Sequence, residues 1–319
     1  MHDRLFAQAG LSLERLRTFR EIATAGGITA AAENDTNRQS QFSRQLRELE
    51  KFFGVELIRR GRGSLCLTAA GEELNRLAGI ALHGLEEFLA TCGTEPVALS
   101  IGAGESLIQW WLLPRMPPPN RLGNNITLAF ENLRNEDILS SLKVGLLDFG
   151  VLSCTLDEPR IESVPLGRLE FRLFIPDNLR RNDAKSGASI LRDLPLGQLS
   201  DSKTIARALA GEARRTDCRL DIRYRFSSYP QLARAILDGN VAGVMPAIAL
   251  TNLPNGTVSA LKLPFLDELT REVRLAWSIP MAEVRPSIGR VAKTLAAAWR
   301  VPPGKKVTGA ISSRRLKTK

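Results

Sequence analysis

The sequence predicts an α/β protein with an N-terminal region of a different, mainly helical kind. In residues 1–95, apolar residues recur at steps of three and four, which is typical of amphipathic helices. Beyond them, short apolar runs such as VALSIGAG and ITLAFENL alternate with helical stretches such as NEDILSSLKVG, which is typical of βαβ units. The 319 residues and 44% apolar content allow both regions a core of their own.

The charge of the chain indicates a polyanionic partner for the first region. The formal net charge is +10 and the isoelectric point is near 9.9. Residues 1–95 hold 12 Lys and Arg against 13 Asp and Glu, yet the window 38–62 holds 7 against 3. The partner is therefore expected at that window. The last residues, from Arg300 on, hold 7 basic and no acidic side chains, so the segment 301–319 is predicted to be a disordered basic tail.

Several classes of protein are disfavoured by what the sequence contains. Four widely spaced cysteines without a CxxC pair and two histidines argue against a disulfide framework or a metal site. No apolar run approaches the roughly 18 residues of a membrane helix, and the N-terminus does not resemble a signal peptide, so a cytoplasmic location is expected. Nucleophile elbows and phosphate loops are missing. Gly102-Ala103-Gly104 begins a dinucleotide motif that fails at Leu107, so no catalytic residue and no cofactor are predicted.

Three helices are predicted in the first region. Ser12 is a candidate N-cap for a helix that Gly26-Gly27 ends, and residues 28–33 form a short Ala-rich helix. In the third helix, residues 38–53, one buried stripe is expected, formed by Phe42, Leu46, Leu49 and Phe53. A short helix, a tight turn and an amphipathic helix form a helix-turn-helix arrangement.

The polar face of the third helix suits DNA bases. It carries Gln, Ser and Arg side chains, which pair with adenine, base edges or phosphate, and guanine respectively. Two short strands at 56–58 and 64–67 enclose the basic tip RRGRG, which predicts a wing against phosphates. The alternative is a solvated helix beside a surface hairpin. The order of three helices, turn and basic wing favours the nucleic-acid interface.

A long helix capped by Thr68 follows the wing. A coiled-coil seam is predicted along it, formed by Leu74, Ala78, Ala81, Leu85 and Phe88. Packing of this seam on the chain's own core is the competing explanation. A dimerisation helix is favoured because helix-turn-helix modules usually read two half-sites as a symmetric pair.

These residues carry a family resemblance. The motifs Ser43-Arg44-Gln45-Leu46, Gly54-Val55 and Leu67-Thr68-Ala69-Ala70-Gly71, in that order, resemble the N-terminal signature of LysR-type transcriptional regulators. The resemblance implies a winged helix-turn-helix at 12–67 after an extension at 1–11, a dimerising linker helix at 68–90, and binding to an interrupted inverted repeat in double-stranded DNA. By position, the implied DNA-facing residues are Gln39, Ser40, Gln41, Ser43, Arg44 and Arg47 on the helix, and Arg59, Arg60 and Arg62 in the wing.

The stretch ENDTNR departs from the family pattern. Asp35 and Asn37 stand where the family usually has apolar residues, and Arg38 stands where Ser or Thr often caps the third helix. We therefore expect the cap at Asn37 and fewer apolar contacts around the turn.

The resemblance continues into the second region. The run from Asn135 to Val151 and the motif Val244-Met245-Pro246 resemble the family's effector domain. That likeness implies a periplasmic-binding-protein-like pair of α/β subdomains across residues 96–300, with a small-molecule cleft between them. The chain is expected to cross near Val164 and Pro264, which gives subdomain I (96–164 and 264–300) and subdomain II (165–263).

In such a domain, ligand-facing residues follow the strands, where strand ends and helix N-termini converge. The predicted positions are Gly104, Glu105, Ser106, Asn132, Ser200, Ser202, Ser227, Ser228 and Met245. Amides and serine hydroxyls favour an anionic effector, whereas Glu105 argues for a zwitterionic one or none. Each serine taken alone is also consistent with a plain helix cap.

The sequence thus predicts a DNA-binding transcriptional regulator that acts as a homodimer or homotetramer and responds to a small-molecule effector. The alternative is a small-molecule binding protein or enzyme with a degenerate DNA-binding head. Operator specificity separates the two, because a degenerate head retains only salt-dependent, sequence-independent binding.

Overall fold

The computed structural model describes residues 3–7, 9–60, 65–93, 96–123, 125–180, 190–251, 253–254 and 256–301. Its first region contains the helices α1 (Asp3–Phe6), α2 (Leu13–Ala25), α3 (Ile28–Ala31) and α4 (Thr36–Phe53), the strands β1 (Ile58–Arg60) and β2 (Leu65–Leu67), and the helix α5 (Ala69–Cys92). We call residues 9–67 the head and α5 the linker helix. Of the predicted disordered tail at 301–319, Val301 is ordered and donates from its backbone N–H to the Leu166 carbonyl at 2.7 Å, which corrects the start of the tail. Residues 302–319 and the wing residue Arg62 lie outside the described residues.

The head is held together by apolar side chains from α2, α4 and the segment before β1. Phe19, Ile22, Leu49 and Leu57 are each at most 1% exposed. The predicted stripe of α4 is wrong at its last position, because Phe53 is 37% exposed and Phe52 is buried instead. Helical geometry alone would place Phe53, eleven residues after Phe42, on the buried face. Phe52 is buried through a tertiary contact, because it packs beside the backbone of Gly10, where an added Cβ would lie 3.0 Å from Phe52 Cβ.

The second region contains two five-stranded sheets. Its strands are β3 (Val97–Ala103), β4 (Ile126–Asn132), β5 (Phe149–Leu152), β6 (Ile161–Leu169), β7 (Phe171–Pro176), β8 (Pro195–Leu199), β9 (Asp221–Phe226), β10 (Ala242–Pro246), β11 (Val258–Leu261) and β12 (Arg271–Ser278). Its helices are α6 (Glu105–Leu107), α7 (Pro119–Leu122), α8 (Asn135–Lys143), α9 (Lys203–Arg215), α10 (Tyr229–Leu237), α11 (Ile279–Val284) and α12 (Pro286–Trp299).

The strand orders are β4-β3-β5-β12-β6 and β11-β7-β10-β8-β9, one sheet for each subdomain. The expectation of parallel sheets is wrong for part of each. β3, β4 and β5 are parallel, as are β8, β9 and β10, but β6, β7, β11 and β12 pair antiparallel. These four strands flank the two places where the chain passes from one subdomain to the other. They therefore run antiparallel to neighbouring strands, whereas the strands of the βαβ units run parallel to one another.

The crossing points also differ from the expected ones. β6 continues in the first sheet to Leu169 and β7 begins in the second at Phe171, so the chain crosses at Glu170 rather than near Val164. It returns at Thr270, just before β12, rather than near Pro264. Alternating apolar residues run through both β6 and β7, so the sequence pattern does not mark the point where one sheet ends.

Helix α8 packs closely on the first sheet. Ile138 and Leu142 are fully buried, and a Cβ on Gly150 would lie 2.4 Å from Ile138 Cγ2. Glycine in β5 therefore permits the helix to approach the sheet backbone. No helix in the described part of the chain has both the length and the apolar character needed to cross a membrane.

Candidate functional site

Helix α4 presents a polar face opposite its buried stripe. Ser40, Gln41, Arg44 and Arg47 are exposed, while Gln39 and Ser43 are half-buried at the edges of this face. The structure therefore brings the six predicted helix residues onto one side of α4. Because the stripe is packed against α2, the polar face is directed away from the head core.

The start of α4 corrects the expected cap. The N-cap is Asp35 rather than Asn37, and the Asp35 carboxylate accepts hydrogen bonds from the backbone N–H groups of Asn37 (2.8 Å) and Arg38 (3.1 Å). Glu33 and Asn34 adopt left-handed backbone with φ of 53° and 65°, which makes the turn tight enough to place Asp35 there. A capping carboxylate thus stabilises the start of α4.

Arg38 and Gln45 fix α4 from its two sides. The Arg38 guanidinium lies 5.5 Å from the centre of the Phe42 ring, a cation–π contact, and 3.4 Å from the Glu33 carboxylate. Buried Gln45 donates from Nε2 to Glu14 of α2 at 2.9 Å. Gln45 therefore joins two helices and does not belong to the exposed polar face.

The two exposed arginines of α4 have weak intramolecular partners. Arg44 Nε lies 3.9 Å from Glu48 Oε1 one turn away, and Arg47 Nε donates to the Ser43 carbonyl at 3.1 Å. Exposed pairs of this kind contribute about 0.3–0.5 kcal/mol. Both guanidinium groups are consequently free to exchange these partners for a base edge or a phosphate.

The wing is a two-stranded antiparallel hairpin with Arg59 opposite Cys66 and Arg60 opposite Leu65. Arg59 is exposed. The Thr68 hydroxyl donates to the Glu56 carbonyl at 2.7 Å and accepts from Gly71 N at 3.0 Å, so one residue both closes the hairpin and caps the linker helix. This fixes the wing relative to α5.

The linker helix corrects the predicted seam. Ala78 is 2% exposed and Leu74 packs on the head core, so both belong to packing within the chain. Ala81, Leu85 and Phe88 are exposed. The exposed apolar face is extended by two residues that the seam omitted, Leu77 at 49% and Leu89 at 68% exposure. The competing explanation therefore holds for the first half of the seam.

The strand ends of the second region bring together most of the predicted cleft residues. Asn132 pairs in register with Ala103, which places it beside Gly104. Leu199 pairs with Phe226, which places Ser200 beside Ser227. Helix α6 of the first subdomain packs against α10 of the second, so the two groups face each other. We call this region the cleft.

Two serines of the cleft occupy N-cap positions without capping their helices. Ser202 precedes α9 and Ser228 precedes α10, and neither side chain accepts from its helix. The Ser228 hydroxyl is buried without a hydrogen-bond partner among the described residues, whereas Ser227 Oγ donates to Gln231 Oε1 at 3.0 Å. An orphaned buried hydroxyl is unfavourable, so Ser228 is the predicted residue best suited to meet a ligand.

A tyrosine that the sequence analysis missed completes this side of the cleft. Burial raises the pKa of Tyr229, while the charge of Arg271 and a hydrogen bond with Ser202 act in the opposite direction. The Tyr229 hydroxyl therefore stays protonated at neutral pH and is available as a donor. The sequence did contain a signal that could have identified Tyr229, namely its position directly after Ser228 at the start of a helix.

Two of the predicted effector residues, and one glycine of the partial dinucleotide motif, have other surroundings. Met245 is fully buried in β10 and belongs to the core of subdomain II, which corrects its assignment to the cleft. Glu105 accepts from Gln109 Nε2 at 3.2 Å on its own helical turn. Gly102, in the partial dinucleotide motif, is explained by packing, because a Cβ at this position would lie 2.6 Å from the Leu147 side chain.

An ion pair spans the cleft. Arg134, after β4, binds the carboxylate of Asp201, after β8, and both side chains are more than half exposed. The sequence analysis missed this pair because nothing in the sequence relates residues 67 positions apart. Outside the cleft, a cavity of about 630 Å³ is lined by Arg115, Met116, Pro117, Pro118, Arg121, Thr294, Ala297 and Ala298.

Comparison with known proteins identifies the family. Residues 13–72 match the model of the bacterial regulatory helix-turn-helix protein of the lysR family, and residues 95–283 match the LysR substrate binding domain. The chain belongs to the LysR family. The two matched segments coincide with the head, with the start of the linker helix, and with the two-sheet region.

Similar proteins include curated relatives and solved structures. A probable hydrogen peroxide-inducible genes activator of Mycobacterium leprae is 30% identical over 166 residues, which cover 50% of this chain and 53% of the relative. The chain spans about half the length of the first curated LysR relatives that it matches.

Two solved structures share the fold. LysG of Corynebacterium glutamicum with bound effector Arg has a TM-score of 0.62 at 19% identity, covering 92% of this chain and all (100%) of that one. DarR of Vibrio fischeri in complex with DNA has a TM-score of 0.51 at 19% identity, covering 90% and 99%. At this identity, the likeness to both structures concerns the fold alone.

Proposed function

We propose that this LysR-family chain is a sequence-specific transcriptional regulator that acts on double-stranded DNA in the cytoplasm. The polar face of α4 carries the proposal: four exposed polar side chains on a capped helix, opposite a buried stripe. Gln41 and Arg44 are the proposed base-reading residues, because Gln pairs bidentately with adenine and Arg with guanine. Arg47, Ser40 and Arg59 are proposed to contact phosphates.

The proposal is supported by a relative whose fold is the same. DarR was solved in complex with DNA, and the structural match to this chain covers 99% of the DarR chain. A long recognition helix that enters the major groove needs its N-terminal turns unobstructed. Thr36, Asn37, Ser40 and Gln41 are all exposed, so these turns are accessible in this chain.

We propose that two copies associate through the exposed apolar face of the linker helix. Leu77, Ala81, Leu85 and Phe88 recur at steps of four, four and three over about three turns, and exposed Leu89 extends the same end of the face. Exposed contiguous apolar surface of this kind marks an interface. Sedimentation of Phe88→Glu should show monomers, whereas Tyr224→Glu, at an exposed aromatic residue of β9, should leave the assembly unchanged. A Phe88→Glu protein that sediments like the wild type would place the interface elsewhere.

The cleft is proposed to bind a small effector with an anionic or zwitterionic group. The unpartnered Ser228 hydroxyl and the Tyr229 hydroxyl are the proposed donors. LysG, which shares the fold, was solved with bound effector Arg. Thermal shift with a panel of basic, zwitterionic and dicarboxylic amino acids is the first test. A compound that stabilises the wild type but not Ser228→Ala supports the site.

Mobility shift with genomic fragments at several salt concentrations tests the DNA-binding proposal. Arg44→Ala and Gln41→Ala should each weaken specific retention by about 1–3 kcal/mol, the usual contribution of a bidentate base contact. Arg234→Ala is the matched control, since Arg234 is an exposed arginine paired one turn away, as Arg44 is. Retention that is sequence-independent and equal in all four proteins would favour a small-molecule binding protein with a degenerate head.

A further inference from the structure

Arg20 joins three parts of the molecule through one side chain. It lies on α2 of the head and is 8% exposed. Its Nη1 donates to the Asn75 carbonyl of the linker helix and to the Val144 carbonyl, both at 3.2 Å, and its Nη2 donates to the Gly145 carbonyl at 3.4 Å. Val144 and Gly145 directly follow α8. The head is thus bonded to the effector domain of its own chain.

Space for this contact depends on a glycine. A Cβ on Gly79 of the linker helix would lie 1.7 Å from Arg20 Nη1 and 2.8 Å from the Val144 carbonyl oxygen. The Arg20 guanidinium therefore occupies the place that any other residue at position 79 would fill. Since glycine within a helix is destabilising by roughly 0.5–1 kcal/mol, its presence here has a structural reason.

The Arg20 contact consists of a buried cation bound to uncharged acceptors. Among the described residues, the hydrogen-bond partners of Arg20 are backbone carbonyls. Burial lowers the pKa of Arg20, while the charge of Glu86 opposes this shift. The carbonyls at the end of α8 carry the partial negative charge of the helix dipole. This partial charge offsets part of the free-energy cost of burying the guanidinium. The hydrogen bonds of Arg20, at 3.2–3.4 Å, are long and therefore weak.

The other end of the linker helix is attached by a buried network of ion pairs and hydrogen bonds. Glu87 is buried, lies 3.1 Å from Arg285 Nε, and accepts from Ser287 N at 2.8 Å and Ser287 Oγ at 2.6 Å. Arg285 also binds Asp148 and donates to the Ala98 carbonyl at 3.0 Å. One guanidinium thus joins two buried carboxylates, so removing Arg285 would leave both of them without a cationic partner.

Buried polar contacts of unequal strength therefore join the linker helix to subdomain I near Asn75 and near Glu87, in addition to apolar packing between them and an exposed Arg160–Glu73 ion pair at 3.9 Å. Asn75 and Glu87 are twelve residues apart, about 18 Å along a helix. We propose that Arg20 is a releasable latch between the head and subdomain I, and that the Glu87–Arg285 pair is the pivot about which the head and linker helix swing when the latch opens. This rests on the proposed regulatory function, in which heads are repositioned on DNA.

Hydrogen exchange on the full-length protein without DNA or effector tests the latch. Gly79→Ala should displace Arg20 while favouring the helix, and should raise exchange at the C-terminal end of α8 and residues 144–147 roughly tenfold or more. Protection of α4 and of Ser287 N–H, which is bonded to Glu87, should stay unchanged. Gly289→Ala on α12 is the matched control, because a Cβ there meets nothing within 4 Å.

A second variant tests the same contact in case Gly79→Ala fails to fold. Arg20→Lys keeps the charge, but an ammonium group does not span the carbonyls of both Asn75 and Gly145, so it should give the same local pattern. Unchanged exchange in both variants overturns the latch. Exchange that rises throughout the head, or at Ser287 together with α8, overturns the latch-and-pivot account in favour of a purely structural Arg20. Because no DNA is present, failure of the proposed DNA binding would leave these readings intact.

Discussion

The head and the cleft expose their polar groups in opposite ways. The head displays Arg44 and Arg47 in solvent on a rigid helix, each with a weak partner that a nucleic acid can replace. The cleft keeps the Ser228 hydroxyl buried and unpartnered. The head therefore has little energetic penalty without DNA, whereas the buried Ser228 hydroxyl destabilises the empty cleft until a ligand forms a hydrogen bond with it. A change on the head should alter binding more than stability, and a change in the cleft should alter both.

The largest expected effect comes from removing the buried back of the reading helix. Leu49 is fully buried, so Leu49→Ala should lower the free energy of unfolding of the head by about 2–5 kcal/mol. Arg44→Ala on the opposite face should change it by less than about 0.5 kcal/mol. Chemical denaturation followed by circular dichroism measures both. Equal losses would contradict the division of α4 into a supporting face and a reading face.

The capping residue of α4 gives the next largest effect. Asp35→Ala removes the acceptor for two backbone N–H groups and should cost about 1 kcal/mol in denaturation. Asn37→Ala is the matched control within the same turn and should be nearly silent. If Asn37→Ala proves the more damaging of the two, the cap lies at Asn37 and the left-handed turn at Glu33 and Asn34 does not form.

In the cleft, the sign of the effect separates the regions. Ser228→Ala removes a buried hydroxyl without a partner, so the ligand-free protein should be unchanged or stabilised by up to about 1 kcal/mol. Ser227→Ala removes bonds to Gln231 and should be slightly destabilising. Differential scanning calorimetry of the two variants compares them. A destabilised Ser228→Ala would mean that this hydroxyl already has a partner.

The smallest effect is expected at the ion pair across the cleft. Asp201→Asn should change stability by about 0.2–1 kcal/mol, decreasing with added salt, because both partners are exposed. Asp238→Asn, in a pair within α10, should respond to salt in the same way. The discriminating readout is the radius of gyration from solution scattering of the unliganded protein. It should rise in Asp201→Asn alone, and equal radii would show that the pair does not restrain the cleft.

Periodicity was sufficient to predict most of the head and insufficient for its turn. Steps of three and four residues place Phe42, Leu46 and Leu49 correctly, because neighbours on a helix are set by local geometry. The cap at Asp35 was missed because it depends on left-handed backbone at Glu33 and Asn34, which neither residue type requires. Phe52 and Phe53 are adjacent phenylalanines, and the buried one is Phe52, which packs beside Gly10, a contact that helical periodicity does not predict.

The second region was predictable as a fold and less so as a site. Alternating strands and helices indicated the α/β class, and the positions after strands, among them Gly104 and Ser228, come together in the structure. Their role in binding an effector stays a prediction. Met245 was misplaced because an apolar residue at a strand end is equally suited to a core. Arg20, Glu87 and Arg285 were not predicted, since their partners are 55 to 200 residues distant and no local pattern relates them.

The central claim, that the face of α4 reads bases, is tested most directly by a ratio of affinities. The dissociation constants of the wild type and Gln41→Ala are measured for an operator fragment and for random DNA of equal length, at one salt concentration. The account predicts that Gln41→Ala lowers the specific-to-nonspecific ratio about tenfold while binding to random DNA is unchanged. An unchanged ratio, with both affinities lowered together, would contradict it.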